Sequence, residues 1–293
     1  MPLNFLGLSP EDSRLETSRV VILPVPYEKT TTYIKGTDKG PEAILKASQQ
    51  VELYDEELAV EPFRVGIHTL DPLCTDQPEP EEMVEQVRRE VVRLIRQGKY
   101  VVGLGGEHSI SIGIARGFAE AFGPGSFTTV QIDAHTDLRE EYEGSKYNHA
   151  CIMKRILEVS PGVHVGIRSM CLEEAELVKQ RNLPVISARE VHSNPNWIEN
   201  ALDHVKTDRV FLTIDADGFD PSVLPGVGTP EPGGLLWYPA ISFFRKLFAT
   251  KEVIGFDLTE LCPLEGQILS DFTCAKLVYK LIGYQWLRMK DEG

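Results

Sequence analysis

Eight short segments are almost continuously apolar and rich in β-branched residues: 19–25 (RVVILPV), 63–67 (FRVGI), 100–104 (YVVGL), 127–132 (FTTVQI), 163–167 (VHVGI), 183–187 (LPVIS), 209–214 (RVFLTI) and 252–256 (EVIGF). A strand with one wet face alternates apolar and polar positions, whereas a strand covered on both faces does not. The segments therefore predict β-strands buried from both sides. Between them the apolar period lengthens. In residues 80–98, Val84, Val87, Val91 and Leu94 fall on one helical stripe, and Gly98 stands where a helix-terminating residue belongs. Residues 40–48 (GPEAILKAS) predict a helix with Pro41 in its first turn, and residues 270–287 predict an apolar-rich closing helix. Strands alternating with helices define an α/β protein. Whether the sheet is open or closed into a barrel is left undecided, because eight units suit both. There is no internal repeat or low-complexity tract. The most linker-like stretch, 71–82 (DPLCTDQPEPEE), reads as a strand-to-helix connection, so 1–293 is taken as one domain.

Three of these runs end in polar groups. Residues 127–132 lead into Asp133, His135 and Asp137; residues 209–214 lead into Asp215 and Asp217; residues 100–104 lead into Gly105-Gly106-Glu107-His108. In an extended chain, residues two apart share a face, so Asp133, His135 and Asp137 converge if that geometry persists past the strand. The carboxyl ends of strands are where α/β folds place ligand sites. A lone aspartate there is commonly a turn or helix cap, but three such elements together are not explained by capping. Carboxylates gathered away from water need a positive neutraliser, and a divalent cation is one. His108, Asp133, His135, Asp137, Asp215 and Asp217 carry too much negative charge for one such ion and suit two, with carboxylates bridging. Oxygen ligands with imidazole and no thiolate point first to Mn²⁺, with Zn²⁺, Fe²⁺, Co²⁺ or Ni²⁺ as other options. Two ions roughly 3.5–4 Å apart would share a water and lower its pKa.

Composition narrows the partners. Thirty Lys+Arg against 44 Asp+Glu give a net charge of −14, which argues against a nucleic-acid partner and slightly favours a cationic substrate. The cysteines (Cys74, Cys151, Cys171, Cys262 and Cys274) form no C-x-x-C pair, so no disulfide framework or structural zinc site is legible and a reducing compartment is expected. The first residues show no basic-then-apolar leader, and no apolar run approaches the roughly 18 residues of a membrane span. The expectation is a soluble cytoplasmic protein with no membrane partner.

The blocks GGEHS (105–109), DAHTD (133–137) and IDADGFDPS…PGVGTPEPGG (214–234) resemble, in order and interval, the three signature blocks of the ureohydrolases, the family of arginase and agmatinase. GFDLTELCP (255–263) is similar to that family's later acidic block. Residues 24–48 and 140–156 look more like the agmatinase branch than like arginase, and the likeness runs from about residue 20 to 288.

The resemblance implies a three-layer α/β/α fold around an eight-stranded parallel sheet. It implies two Mn²⁺ per subunit on His108, Asp133, His135, Asp137, Asp215 and Asp217, and a homo-oligomer, trimer or hexamer. By position, His149 in YNHAC matches the active-site histidine, suited to giving a proton to a leaving amine. Glu260 matches the carboxylate that grips a guanidinium, and Asp137 would also hydrogen-bond the nucleophile. Thr229 would touch substrate, and Glu231 would either support the site or be structural. Where arginases place an Asn for the α-carboxylate, this chain has Asp137-Leu138-Arg139. Arg139 would either bind a substrate carboxylate or pair with Glu140, Glu141 and Glu143. Asp220 reads as a turn residue. His68, His164, His192 and His204 match no motif and read as core or surface groups. Gly218, Ala150 and Cys151 depart from the family pattern and bear on pocket shape.

The implied reaction is hydrolysis of the guanidinium of a small cationic guanidino compound, with agmatine, giving putrescine and urea, as first choice. The alternatives on the same scaffold are arginase, guanidinobutyrase and formiminoglutamase activities. A deacetylase-like site is usually mononuclear, and a non-catalytic regulatory relative usually lacks ligands; the full set here speaks against both.

Overall fold

Apolar runs became strands wherever the neighbouring chain allowed it. The computed structural model describes residues 3–291. Its strands are β1 (Val20–Val25), β2 (Ile67–Thr69), β3 (Tyr100–Gly105), β4 (Phe127–Ile132), β5 (Gly162–Ile167), β6 (Val185–Ser187), β7 (Arg209–Asp215) and β8 (Glu252–Thr259). One expectation is displaced. Of residues 63–67 only Ile67 lies in a strand, because Pro62 opens a 3₁₀ turn through Val65 and Gly66 then takes a φ of 77°. A side chain at Gly66 would also meet the Ser18 backbone at 2.8 Å. The strand begins only after that corner.

All pairings are parallel, in the order β2-β1-β3-β8-β7-β4-β5-β6. The short strands β2 and β6 are edges, so the sheet is open, which the hydrophobic period could not decide. Alternate residues of one strand feed different cores. Val21, Leu23 and Val25 join the layer of α2 (Pro80–Arg96), α3 (Ile110–Phe122) and α4 (Ile152–Ile156). Val20 and Ile22 join the layer of α1 (Gly40–Ser48), α7 (Trp197–His204), α8 (Trp237–Thr250) and α9 (Leu269–Asp291). Helices α5 (Leu172–Arg181) and α6 (Ala188–Ser193) flank the β5 and β6 edge. The stripe of Val84, Val87, Val91 and Leu94 is buried as its spacing requires. In α3 apolar residues surround the whole helix and Ile110, Ile112, Ile114 and Phe118 are all inside, so it lacks the one-sided signature that marks α2. Among the described residues no helix is long and apolar enough to cross a membrane.

The strand order places the chemistry. The chain leaves β3 through α3 and enters β4 three positions away in the sheet; β7 and β8 later fill the gap of two strands. The four neighbours β3-β8-β7-β4 therefore present their carboxyl ends side by side, at a reversal of strand order of the kind where open α/β sheets bind ligands.

Candidate active site

Strand β4 stops at Ile132, one residue before the first acid. The chain then bends, and Asp137 lies in left-handed backbone with a φ of 50°. Asp133, His135 and Asp137 do converge, but this turn gathers them; the shared face of an extended strand does not. Holding a non-glycine residue there is a local strain that surrounding structure must support. Here the carbonyl of Asp137 accepts the N–H groups of Met153 and Lys154 at 3.0 and 3.2 Å. On β7, Asp215 ends the strand and caps the next 3₁₀ turn by accepting the N–H of Asp217 at 2.8 Å.

Around His108 the groups crowd closely. Its Nδ1 lies 3.2 Å from Asp133 Oδ2, 3.4 Å from Asp137 Oδ2 and 3.2 Å from Asp215 Oδ2. His135 Nδ1 lies 3.0 Å from Asp217 Oδ2 and 3.6 Å from Asp133 Oδ1. Two groups follow, His108 with Asp133 and Asp137, and Asp133 with His135 and Asp217, each with its ligand atoms within 4.8 Å of one another. Asp133 belongs to both, one oxygen toward each.

These residues fit a pair of cations. On the other ring edge, His108 Nε2 meets Thr213 Oγ1 at 2.9 Å, and that hydroxyl donates to Asp257 Oδ1 at 2.7 Å. The hydroxyl is then an acceptor for Nε2–H, which leaves Nδ1 bare. Buried Nδ1 makes no aligned hydrogen bond and points among three carboxylates. A hydroxyl that accepts from one ring nitrogen in this way orients the imidazole so that the other nitrogen can bind a metal. The electrostatics agree. Burial opposes protonation of both imidazoles, yet the surrounding carboxylates raise His108 well above the usual histidine range and push His135 up to about 12. Burial and the charge on Asp133 push Asp137 up to about 7. A divalent cation would neutralise the same field.

Other residues hold the acids in place. His164, kept neutral by burial at about 4, faces Gln131 Oε1 through Nδ1 at 2.6 Å. Gln131 in turn donates to Asp133 Oδ2 at 2.7 Å. His164 is therefore a core group, as expected, but one tied to the site. Arg168 donates to the carbonyls of Gly166 (3.0 Å), Asp217 (2.6 Å) and Glu231 (2.8 Å), locking the Asp217 turn to the end of β5. Gly218 is required by space: a side chain there would meet the Asp133 amide nitrogen at 2.9 Å. Nothing in the spacing of motifs marks Gln131, Thr213 or Arg168, and Asp257 stands in the 255–263 block without an assigned role. For Gln131, Thr213 and Asp257 the available signal is a polar residue inside an apolar run.

A cavity of about 360 Å³ opens onto this cluster, lined in part by His135, Asp137, Asp215, Asp217, His149 and Glu260. Glu260, also left-handed at φ 61°, donates its N–H to the Gly106 carbonyl at 2.7 Å and accepts the His108 N–H at 2.6 Å. His149 Nδ1 lies 3.5 Å from Glu260 Oε1. Burial lowers the His149 pKa, but Glu260 first, together with the charges of Glu107 and Asp137, pushes it up to about 9. Thr229 lines the cavity and donates to Asp217 Oδ2 at 3.2 Å. Glu231 reaches to 3.9 Å from His135 Nε2. Arg139 also lines the cavity, where it stacks over Tyr142 at 4.5 Å, while Glu140 pairs with Lys146, Lys154 and Arg155. Ala150 lines the wall and Cys151 is buried behind it. Asp220 is a turn residue accepting from Ser222, Gly233 and Gly234.

A sequence profile described as the Arginase family matches residues 18–283. The chain belongs to the arginase family. Among curated relatives, an N(1)-aminopropylagmatine ureohydrolase of a Synechocystis species is 51% identical over 271 residues, covering 90% of this chain and 88% of that one. A Thermus thermophilus protein of the same name is 38% identical over 279 residues, covering 95% and 94%. Among solved structures, the agmatine ureohydrolase of Thermoplasma volcanium superposes with a TM-score of 0.89 at 30% identity, covering 100% of this chain and 98% of that one. The open parallel sheet with helices on both faces is thus the arginase-family architecture, and the protein is a ureohydrolase, a hydrolase of the agmatinase-like group.

Proposed function

We propose that the cavity hydrolyses the guanidinium of an aminopropyl-extended agmatine, N(1)-aminopropylagmatine, to urea and spermidine, with agmatine as the lesser substrate. The observation that carries the reaction is the convergence of six metal-type ligands beside the Glu260–His149 pair. The extended substrate rests on the relatives: those named for it are 51%, 38% and 34% identical to this chain, against 31%, 29% and 30% for those named agmatinase.

His108, Asp133, Asp137 and Asp215 would hold one Mn²⁺, and Asp133, His135 and Asp217 a second. Bound there, the pair supplies Lewis acidity and makes water a competent nucleophile near neutral pH. Glu260 takes the guanidinium in a charge-assisted bond and turns its carbon toward the acid cluster. Thr229, held by Asp217, borders the same space. His149, protonated by virtue of Glu260, gives its proton to the departing nitrogen, so the amine leaves neutral.

The sign of the pH dependence follows. A raised histidine pKa means the acid form persists through neutrality and is lost as pH rises through about 9. The kcat profile of the manganese-loaded enzyme is expected to fall on its alkaline side, above neutrality. His149→Asn should be slow and should lose this limb; an unchanged limb in that variant would remove His149 from the role.

A urea-release screen tests the substrate reading. N(1)-aminopropylagmatine is expected to exceed agmatine in kcat/KM by roughly tenfold or more, the scale of a few added contacts, and both to exceed arginine and guanidinobutyrate. Arginine as best substrate would refute the extended-agmatine reading, and formamide in place of urea would move the enzyme to formimino substrates.

A further inference from the structure

Three consecutive residues just past β3, Gly106 to His108, touch Glu260, the acid cluster and, through Thr30, the turn that carries His149. The carbonyl of Gly106 holds the Glu260 amide, and the amide of His108 holds the Glu260 carboxylate. Between them lies Glu107, wholly buried, which no step above uses. Its carboxylate is saturated. Oε2 accepts the N–H groups of Lys29 and Thr30 at 2.8 and 2.6 Å; Oε1 accepts the hydroxyls of Thr30 and Ser109 at 2.6 and 2.5 Å. Because the Thr30 hydroxyl donates to Glu107, its lone pairs are free to accept, and the backbone N–H of His149 donates to them at 3.0 Å. The Thr30 carbonyl also accepts Asn148 Nδ2 at 3.3 Å, and Asn148 Oδ1 accepts the Ala150 N–H at 2.9 Å, opening the turn that carries His149.

We propose that Glu107 and Thr30 are positioning residues that set the His149 imidazole against Glu260, so that one strand end fixes both the guanidinium-binding acid and the proton donor. The inference rests on the proposed role of His149. A carboxylate with four donors in a dry site is a rigid anchor, and Thr30 transmits its position through one hydroxyl. The geometry makes a demand on the side chain of residue 30: a hydroxyl that donates one way and accepts the other.

The test uses the full-length, manganese-loaded enzyme. Thr30→Val removes the hydroxyl at nearly constant volume. It is expected to lower kcat by about 10- to 100-fold, the scale of a misplaced acid catalyst, while KM and manganese content stay near those of the parent and the melting temperature falls by the several degrees that two unmet buried hydrogen bonds cost. Thr30→Ser, which keeps the hydroxyl, should restore turnover to within roughly threefold, well inside the loss that misplacement causes. Should Thr30→Val fail to fold, Thr30→Ala removes the same group with less bulk. A cycle with His149→Asn separates positioning from mere wall structure: if Thr30 acts through His149, the double variant is no slower than His149→Asn alone. Independent, multiplying losses, or a Thr30 loss confined to KM, would overturn the proposal. So would a slow His149→Asn enzyme beside an unimpaired Thr30→Val. If His149→Asn turns over like the parent, the His149 reading itself fails and takes this inference with it.

Discussion

Asp133→Asn is expected to cost the protein both manganese ions and at least about 10³-fold in urea release, since several kcal/mol of charge stabilisation go with the ions. The reason is geometric. Asp133 is the residue common to both ligand groups, with Oδ2 toward His108 and Oδ1 toward His135. His135→Asn touches one group and should leave an ion on the other. The variant also has a signature without manganese. Burial opposes a charge on Asp133, but hydrogen bonding and charge from His108 and His135 hold its carboxyl well below the usual carboxylate range, so its ionised form stabilises the metal-free fold. Neutralising it should lower the melting temperature of the metal-free protein, and the rise on adding manganese, large in the parent, should disappear because stabilisation by a ligand scales with its affinity for the folded state. A metal titration followed by thermal melting reads both. Retention of the full manganese complement by Asp133→Asn would remove it as the shared ligand.

Glu260→Ala should lower kcat/KM by about 2–5 kcal/mol, roughly 30- to 5,000-fold, the cost of truncating one member of a buried, hydrogen-bonded charge pair. Two losses combine. The substrate guanidinium loses its anionic partner, and His149 loses the group that keeps it protonated at neutral pH. Glu260→Gln separates them in part: the amide oxygen still accepts the His108 N–H, but the charge is gone. Both variants should keep their manganese, because the Glu260 contacts are to the backbone of His108 and to His149 rather than to the acid cluster. Steady-state kinetics beside metal analysis is the check, and loss of manganese together with activity would show that Glu260 acts through the metal site instead.

The reach of the sequence can be judged from particular residues. Strands covered on both faces leave continuous apolar runs, so β1, β3, β4, β5, β7 and β8 were readable. Strand order leaves no such mark, because the pairing of β3 with β8 and of β7 with β4 is decided by contacts far apart in the chain. Run 63–67 misled because an apolar composition says nothing about the corner that Pro62 and Gly66 impose. At the site, the acids and imidazoles stood out because polar groups at the ends of buried strands are expensive without a use. The route by which Asp133, His135 and Asp137 meet was not legible, since the left-handed turn at Asp137 is stabilised by α4, a separate element. Nor was the supporting shell. Gln131, Thr213 and Asp257 look like isolated polar residues in strands, and only the folded site shows what each one holds. Arg139 is the reverse case. The sequence offered a carboxylate or its acidic neighbours as partners, and the ring of Tyr142 lies under it.

Anomalous diffraction at the manganese edge from crystals of the manganese-loaded protein tests the central claim most directly. Two peaks are expected, roughly 3.5–4 Å apart, one beside His108 Nδ1 and one beside His135 Nδ1, with the Asp133 carboxylate between them. A single peak, or none within reach of these side chains in a fully folded protein, would contradict the binuclear centre on which the reaction depends.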